Sequence, residues 1–355
     1  MPYTEKEAKE LVIQAGLKLK EAGLIARTWG NISARISDTR FVITPSGLPY
    51  ESLKPDEIVT VAIDDGSYEG DIKPSSEKGV HASVYQLRPE VDFVIHTHQE
   101  AATIVSLPGV RIAEYGKSDA KARKILGEEI PCASYGMPST KELQEAVKKV
   151  VRDYPNSNAA LMRFHGTVCM GRNAKEAFEV STMLEKVCEA KITKVINLNE
   201  NNDILHEQIT EEWLSEEEKD KICQQNKTMY IRQVTDPEIV AVSRLGKTMN
   251  PNMDDLAQIA GETIKCVKAE DAAEGILNRN AVLIKGKGAI ITAGEEEDLK
   301  ALQMILKKSC RAFLYSLALG KNYALPDEEA GKLRKFYVET YAKLSQKLTK
   351  PIDIV

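Results

Sequence analysis

Histidine is scarce in this chain of 355 residues, which holds five. Cysteine is scattered as well: Cys132, Cys169, Cys188, Cys223, Cys266 and Cys310 form no C-x-x-C pair. That excludes a zinc knuckle or a thioredoxin-type motif and leaves buried, reduced thiols as the expected state. No apolar run approaches the roughly 18–20 residues of a membrane span. The opening Met1-Pro2-Tyr3-Thr4-Glu5-Lys6-Glu7 lacks the basic-then-apolar pattern of a signal peptide, so the expectation is cytoplasmic residence and no membrane partner. Aromatic residues are sparse at 6% and the net charge is −5, so neither base stacking nor a basic face points to nucleic acid. What remains is 43% hydrophobic and 28% charged, an ordinary globular composition with length for two domains or one large one.

Periodicity gives the outline. Residues 5–21 place Ala8, Leu11, Val12, Ala15 and Leu19 on one helical face, and Ala22-Gly23 ends the run. Residues 40–44 and 58–63 read as strands. Residues 76–87 read as a helix with a serine cap, broken by Pro89. An apolar strand follows, then a helix over 140–151, a strand over 159–170 interrupted by Gly166, and a long helix over 174–197. This order predicts a layered α/β or α+β domain over residues 1–200. Residues 201–235 are polar and charged and read as a connector with one helical piece at 211–225 and a surface His206.

The most informative stretch is Val94-Ile95-His96-Thr97-His98. In a strand, residues two apart face the same way, so His96 and His98 converge. His165 lies in a similar setting, behind Ala159-Ala160-Leu161-Met162-Arg163-Phe164. Glu77 closes Lys73-Pro74-Ser75-Ser76-Glu77. Three imidazoles and a carboxylate suit an open catalytic zinc site. Histidines at strand ends are also common as packed core residues, and spacing alone leaves both readings open.

Residues 236–355 carry an internal echo. Residues 280–290, with Lys285-Gly286-Lys287-Gly288, line up with 158–168, and residues 236–243 line up with 88–95. This alignment puts Arg244, Gly246 and Lys287 where the first copy has His96, His98 and His165. It predicts a smaller, degenerate copy without metal ligands. The Lys285–Gly288 stretch reads as a strand-end turn, because it lacks the third glycine and the G-K-[ST] of nucleotide loops.

The collinear series Gly30-Asn31-Ile32-Ser33, Thr44-Pro45-Ser46-Gly47, Lys73-Pro74-Ser75-Ser76-Glu77, His81, Tyr85, Arg88-Pro89, His96-Thr97-His98 and His165-Gly166 resembles the class II aldolase/adducin superfamily. The pattern is most similar to that of the L-fuculose-phosphate aldolases, over about residues 5–195. The resemblance implies a three-layer α/β/α domain with a mainly antiparallel central sheet. It implies His96, His98 and His165 as ligands of Zn²⁺, with Co²⁺ or Mn²⁺ as alternatives. Glu77 would be the catalytic glutamate, and Tyr115 would match a catalytic tyrosine contributed across a subunit interface of a homo-oligomer. Gly30, Asn31, Ser46, Gly47, Ser75 and Ser76 would bind the substrate phosphate, although each also fits ordinary turn chemistry.

The implied reaction is retro-aldol cleavage of a phosphorylated ketose to dihydroxyacetone phosphate and an aldehyde, through a metal-stabilised enediolate. The superfamily's ribulose-phosphate 4-epimerases carry aspartate where this chain has Glu77, and adducins lack the histidine set. A decarboxylase, epimerase or dehydratase on the same scaffold is the alternative, and a non-catalytic sugar-phosphate-binding or scaffold protein is another.

Overall fold

The computed structural model describes residues 3–25, 29–113, 115, 119–197 and 212–341. The chain divides into two compact units, Met1–Thr193 and Lys194–Val355. The boundary expected near residue 200, the Asn199–Asp203 run and His206 lie outside the described residues or at their edge. No helix among the described residues is long and apolar enough to cross a membrane.

The first unit is built on a seven-stranded sheet. Its elements in chain order are α1 (Glu5–Glu21), β1 (Gly30–Arg35), β2 (Arg40–Ile43), β3 (Val59–Ala62), α2 (Lys78–Leu87), β4 (Phe93–Thr97) and α3 (Glu100–Ser106). Then follow α4 (Ala120–Leu126), β5 (Cys132–Ala133), α5 (Lys141–Asp153), β6 (Ala159–Met162), β7 (Gly166–Gly171) and α6 (Ala174–Asn197). The strand order is β3-β2-β1-β4-β7-β6-β5, antiparallel throughout except for the β5–β6 edge.

Local chemistry explains the element ends. A capping box starts α1: Thr4 and Glu7 satisfy each other's backbone N–H groups. Gly23, at φ +71°, follows its end. The α2 helix begins at Lys78, two residues later than the sequence suggests. The preceding residues are held in extended pairing instead: Pro45 bridges Pro74, and Ser75 N–H donates to the Thr44 carbonyl at 3.0 Å.

The core lies between the sheet and α2 and α5. Val94 of β4, Val168 and Met170 of β7, and Ala160 and Met162 of β6 pack there against Val80, Val84, Leu143 and Val147. The opposite face carries α1 and α3. His96 has the parity of Val94, so its side chain faces the α2 side.

The second unit contains α7 (Glu216–Asn226), β8 (Tyr230–Val234), α8 (Pro237–Arg244), α9 (Asp254–Ile259), β9 (Cys266–Val267) and α10 (Ala272–Gly275). It ends with β10 (Ala281–Ile284), β11 (Gly288–Ala293), α11 (Glu296–Ala318) and α12 (Asp327–Phe336). Its core gathers Leu214, Ile222, Ile276, Val282, Ile284 and Ile290. The stretch that reads as a connector therefore holds a helix at 216–226 and a strand: β8 pairs with β11 through five residues. Its polar alternation, Tyr230-Ile231-Arg232-Gln233-Val234, hides it from a search for apolar runs.

The order β8-β11-β10-β9 has the same strand senses as β4-β7-β6-β5. Gly288 stands opposite Ile284 as Gly166 stands opposite Met162. Counting from these glycines, Gln233, Thr235 and Lys287 take the positions of His96, His98 and His165. The alignment through Arg244 and Gly246 is thus corrected. Residues 237–244 form a helix with proline in its first turn, and the strand that matches β4 precedes them.

Candidate metal centre

Strand β4 brings His96 to the sheet interior between β1 and β7, where Asn31 and Val168 are its register partners. His98 follows just beyond the strand end. His165 sits in the turn joining β6 to β7. The ligand atoms of the three histidines lie within 4.8 Å of one another. The rings of His96 and His165 stack 5.1 Å apart, and His98 meets both edge-on. His96 and His165 are buried and His98 is partly exposed, so the cluster has one open side.

The turn bearing His165 is strained. Phe164 has φ +62°, a left-handed conformation disfavoured for a bulky side chain. The Ser106 hydroxyl accepts from its N–H at 3.2 Å, and Arg163 covers its ring. The equivalent residue of the second unit is Gly286, at φ +77°. There the same turn is made without strain, and Lys285–Gly288 is a hairpin turn as its sequence suggests.

Glu77 takes the N-cap position of α2, and its side chain reaches the cluster instead of capping the helix. Its carboxylate oxygens lie 3.0 Å from His96 Nε2 and 3.0 Å from His165 Nε2. Burial pushes this carboxyl up, but the charges of His96 and His165 and their hydrogen bonds outweigh burial and hold it well below its ordinary value. His96 Nδ1 lies 2.8 Å from the Thr167 carbonyl, which can only accept, so Nδ1 carries the proton. Its Nε2 faces both Glu77 and His98 Nε2, the latter at 3.2 Å. Nε2 is the atom left to hold a cation there, a proton in the Glu77 contact or a metal ion in its place. A tetrahedral zinc ion with Zn–N near 2.05 Å would hold two ring nitrogens roughly 3.3 Å apart. The donor set fits such an ion, and the Thr167 carbonyl holds the His96 ring as an outer hydrogen bond would hold a ligating histidine.

The residues expected at a phosphate gather on two adjoining loops and the start of β1. The Ser46 N–H donates to Lys73 O at 3.0 Å, which ties the 44–47 loop to the turn before α2. Ser75 is buried and its hydroxyl accepts from Glu77 N–H, while Ser46, Gly47 and Ser76 are exposed. Ser139 donates to Ser76 Oγ at 2.7 Å. Gly30 has φ +129°, and a Cβ there would come within 2.7 Å of His96 O. Asn31 Nδ2 donates to Glu77 Oε2 at 3.2 Å.

Tyr115 is placed differently. Its hydroxyl donates to Gly127 O at 2.7 Å, beyond the end of α4, and burial raises its pKa with help from Glu129.

Role assignment from sequence misses three buried residues. His81 and Tyr85 of α2 and Ser33 of β1 form a hydrogen-bonded row that ends on Asn31. The signal available in the sequence is the i, i+4 spacing of His81 and Tyr85 on one helix face. Burial lowers the His81 pKa from 6.5 to about 3, so its ring is neutral.

The chain belongs to the class II aldolases and adducins: the family's "Class II Aldolase and Adducin N-terminal domain" matches residues 10–192, within the first unit. The L-ribulose-5-phosphate 4-epimerase UlaF of Salmonella paratyphi C is 31% identical over 211 residues, 56% of this chain and 92% of that protein. The L-fuculose phosphate aldolase of Escherichia coli K12 is 33% identical over 182 residues, 51% of this chain and 81% of that protein. A solved L-fuculose 1-phosphate aldolase matches at 26% identity with a TM-score of 0.49, over 62% of this chain and 96% of its own.

Proposed function

We propose that this protein is a metal-dependent aldolase that cleaves a phosphorylated ketose to dihydroxyacetone phosphate and an aldehyde. The observation that carries the reading is the convergence of three imidazoles and Glu77 on one point, in a chain of this family. His96, His98 and His165 would hold the ion, with Zn²⁺ suited to nitrogen ligands in this geometry and Co²⁺ or Mn²⁺ as substitutes. A dication there would polarise substrate oxygens and stabilise the negative charge left by C–C cleavage. Glu77 would hold and return the substrate proton at a carboxylate oxygen, poised by its contacts with the two imidazoles. Gly30, Asn31, Ser46, Gly47, Ser75 and Ser76 would supply neutral donors for the phosphate, through backbone, amide and hydroxyl groups. Tyr115, tied down at Gly127, would act in a neighbouring subunit of a homo-oligomer rather than in its own chain's site. Residence would be cytoplasmic, where sugar phosphates occur.

The second unit we read as a degenerate half-copy. Gln233, Thr235 and Lys287 offer no set of imidazoles. The connector's Trp213 occupies their surroundings: its backbone N–H donates to Gln233 Oε1 at 3.1 Å, and Lys287 Nζ lies 5.9 Å from its ring centroid.

The test is release of dihydroxyacetone phosphate by zinc-loaded protein over a panel of ketose 1-phosphates. Release that Glu77→Gln abolishes supports the aldolase reading. A specific observation favours a second reading: a relative 31% identical is named as a 4-epimerase. Inversion of a pentulose 5-phosphate at C4, with no dihydroxyacetone phosphate formed, would replace the aldolase by an epimerase. Glutamate at position 77, where the epimerases of the superfamily carry aspartate, supports the aldolase.

A further inference from the structure

Four hydrogen bonds run in series away from Glu77. Glu77 Oε2 accepts from Asn31 Nδ2 at 3.2 Å, and Asn31 Oδ1 meets His81 Nε2 at 2.5 Å. His81 Nδ1 meets Ser33 Oγ at 2.6 Å, and Ser33 Oγ meets the Tyr85 hydroxyl at 2.7 Å. Ser33 and His81 are wholly buried, and Tyr85, Asn31 and Glu77 nearly so. Water therefore offers no easy substitute for a lost partner.

Each member has a fixed donor and acceptor capacity, so one bond's direction sets the next and the row can run in one of two senses. In the first, Tyr85 donates to Ser33, Ser33 to His81 Nδ1, His81 Nε2–H to Asn31 Oδ1, and Asn31 Nδ2 to Glu77. In the second, the bonds from Tyr85 to Asn31 reverse, and Asn31 turns its carbonyl oxygen toward the carboxylate. Two acceptors would then face each other across 3.2 Å in a buried site, at the cost of an unsatisfied pair. The first pattern wins. It keeps both Nδ2 hydrogens of Asn31 on the site side, one on Glu77 and one available to an anionic group of the substrate.

We propose that His81, Ser33 and Tyr85 are positioning residues that lock the Asn31 amide with its donor face turned to Glu77 and the substrate phosphate. This rests on the aldolase reading only for the identity of the substrate; the lock itself is a property of the fold. An amide free to rotate would present an acceptor to an anion part of the time, so the lock acts on substrate binding more than on turnover.

The tautomer of His81 reports the pattern directly. ¹⁵N NMR of histidine-labelled, zinc-loaded full-length protein at neutral pH is expected to show His81 neutral, with the proton on Nε2 and Nδ1 accepting a hydrogen bond. A proton on Nδ1, or on both nitrogens, would overturn the proposal without need of a variant. In kinetics, His81→Phe is expected to keep its zinc and raise KM for the phosphorylated substrate roughly tenfold, with a smaller effect on kcat. His81→Gln, whose amide can donate to Asn31, should recover most of that loss. A His81→Phe protein with unchanged KM and zinc would also overturn the lock. If wild-type protein turns over no sugar phosphate yet shows the Nε2–H tautomer, the functional reading falls and the lock is upheld.

Discussion

At the scale of single residues, the histidines and Glu77 separate cleanly by what each removes. His96→Ala takes away a proposed ligand whose Nδ1 is oriented by Thr167. It should lose bound metal and activity together, read by metal analysis and turnover in one preparation. Glu77→Gln is isosteric and should keep the metal while turnover falls by about 10²–10⁴-fold, the usual worth of a general acid–base group. His81 makes a pH prediction. Its folded pKa, about 3, lies below the ordinary 6.5, so the unfolded chain binds the extra proton. Its contribution to stability is therefore present above pH 6.5 and is lost as pH falls toward 3, by up to about 1.4 kcal/mol per pH unit. Urea unfolding of wild type and His81→Gln, compared at neutral pH and at successively lower pH, should show the wild type losing stability faster. Equal slopes would refute the assignment. At this scale the sequence was informative where a residue type is rare. Three of five histidines form the cluster, and their scarcity made H-x-H visible. Ser33 and Tyr85 are common types in unremarkable settings, and only their approach across 52 positions of sequence shows their part.

At the scale of elements, the site depends on how closely β1 and β4 pair. Gly30 combines φ +129° with a Cβ position 2.7 Å from the His96 carbonyl. Gly30→Ala should destabilise the fold by about 1–3 kcal/mol and loosen metal binding, because relief of the clash moves the strand that carries His96. Denaturant unfolding with a parallel metal-affinity titration checks both halves. Helix and strand patterns announced α1, β3, α5 and α6 by a single apolar face each, and β2 by a short run of consecutive buried apolar residues. The start of α2 and the strand β8 escaped for different reasons. A serine cap and an extended Pro-Ser-Ser turn look alike until the 44–47 loop is seen to bond to the latter. A strand such as β8, whose residues are mostly half-exposed, lacks the apolar run that marks a buried one.

For the molecule as a whole, the metal count is decisive. One ion per chain is expected, lost in His165→Ala and unchanged in Lys287→Ala, because on the proposed reading Lys287 stands in the position of a ligand and cannot serve as one. Two ions per chain would contradict the reading of the second unit. The sequence by itself determined the candidate metal ligands, the family and most of the regular elements, since these follow from side-chain chemistry and periodicity within short windows. The tertiary structure alone decided the glycine-anchored strand register within each unit, that Trp213 lies against Lys287, that Tyr115 bonds to Gly127, and that a buried row of side chains ends on Asn31. Each of these joins residues through strand pairing or packing, and a linear pattern carries no record of which distant groups the folded chain brings within hydrogen-bonding distance.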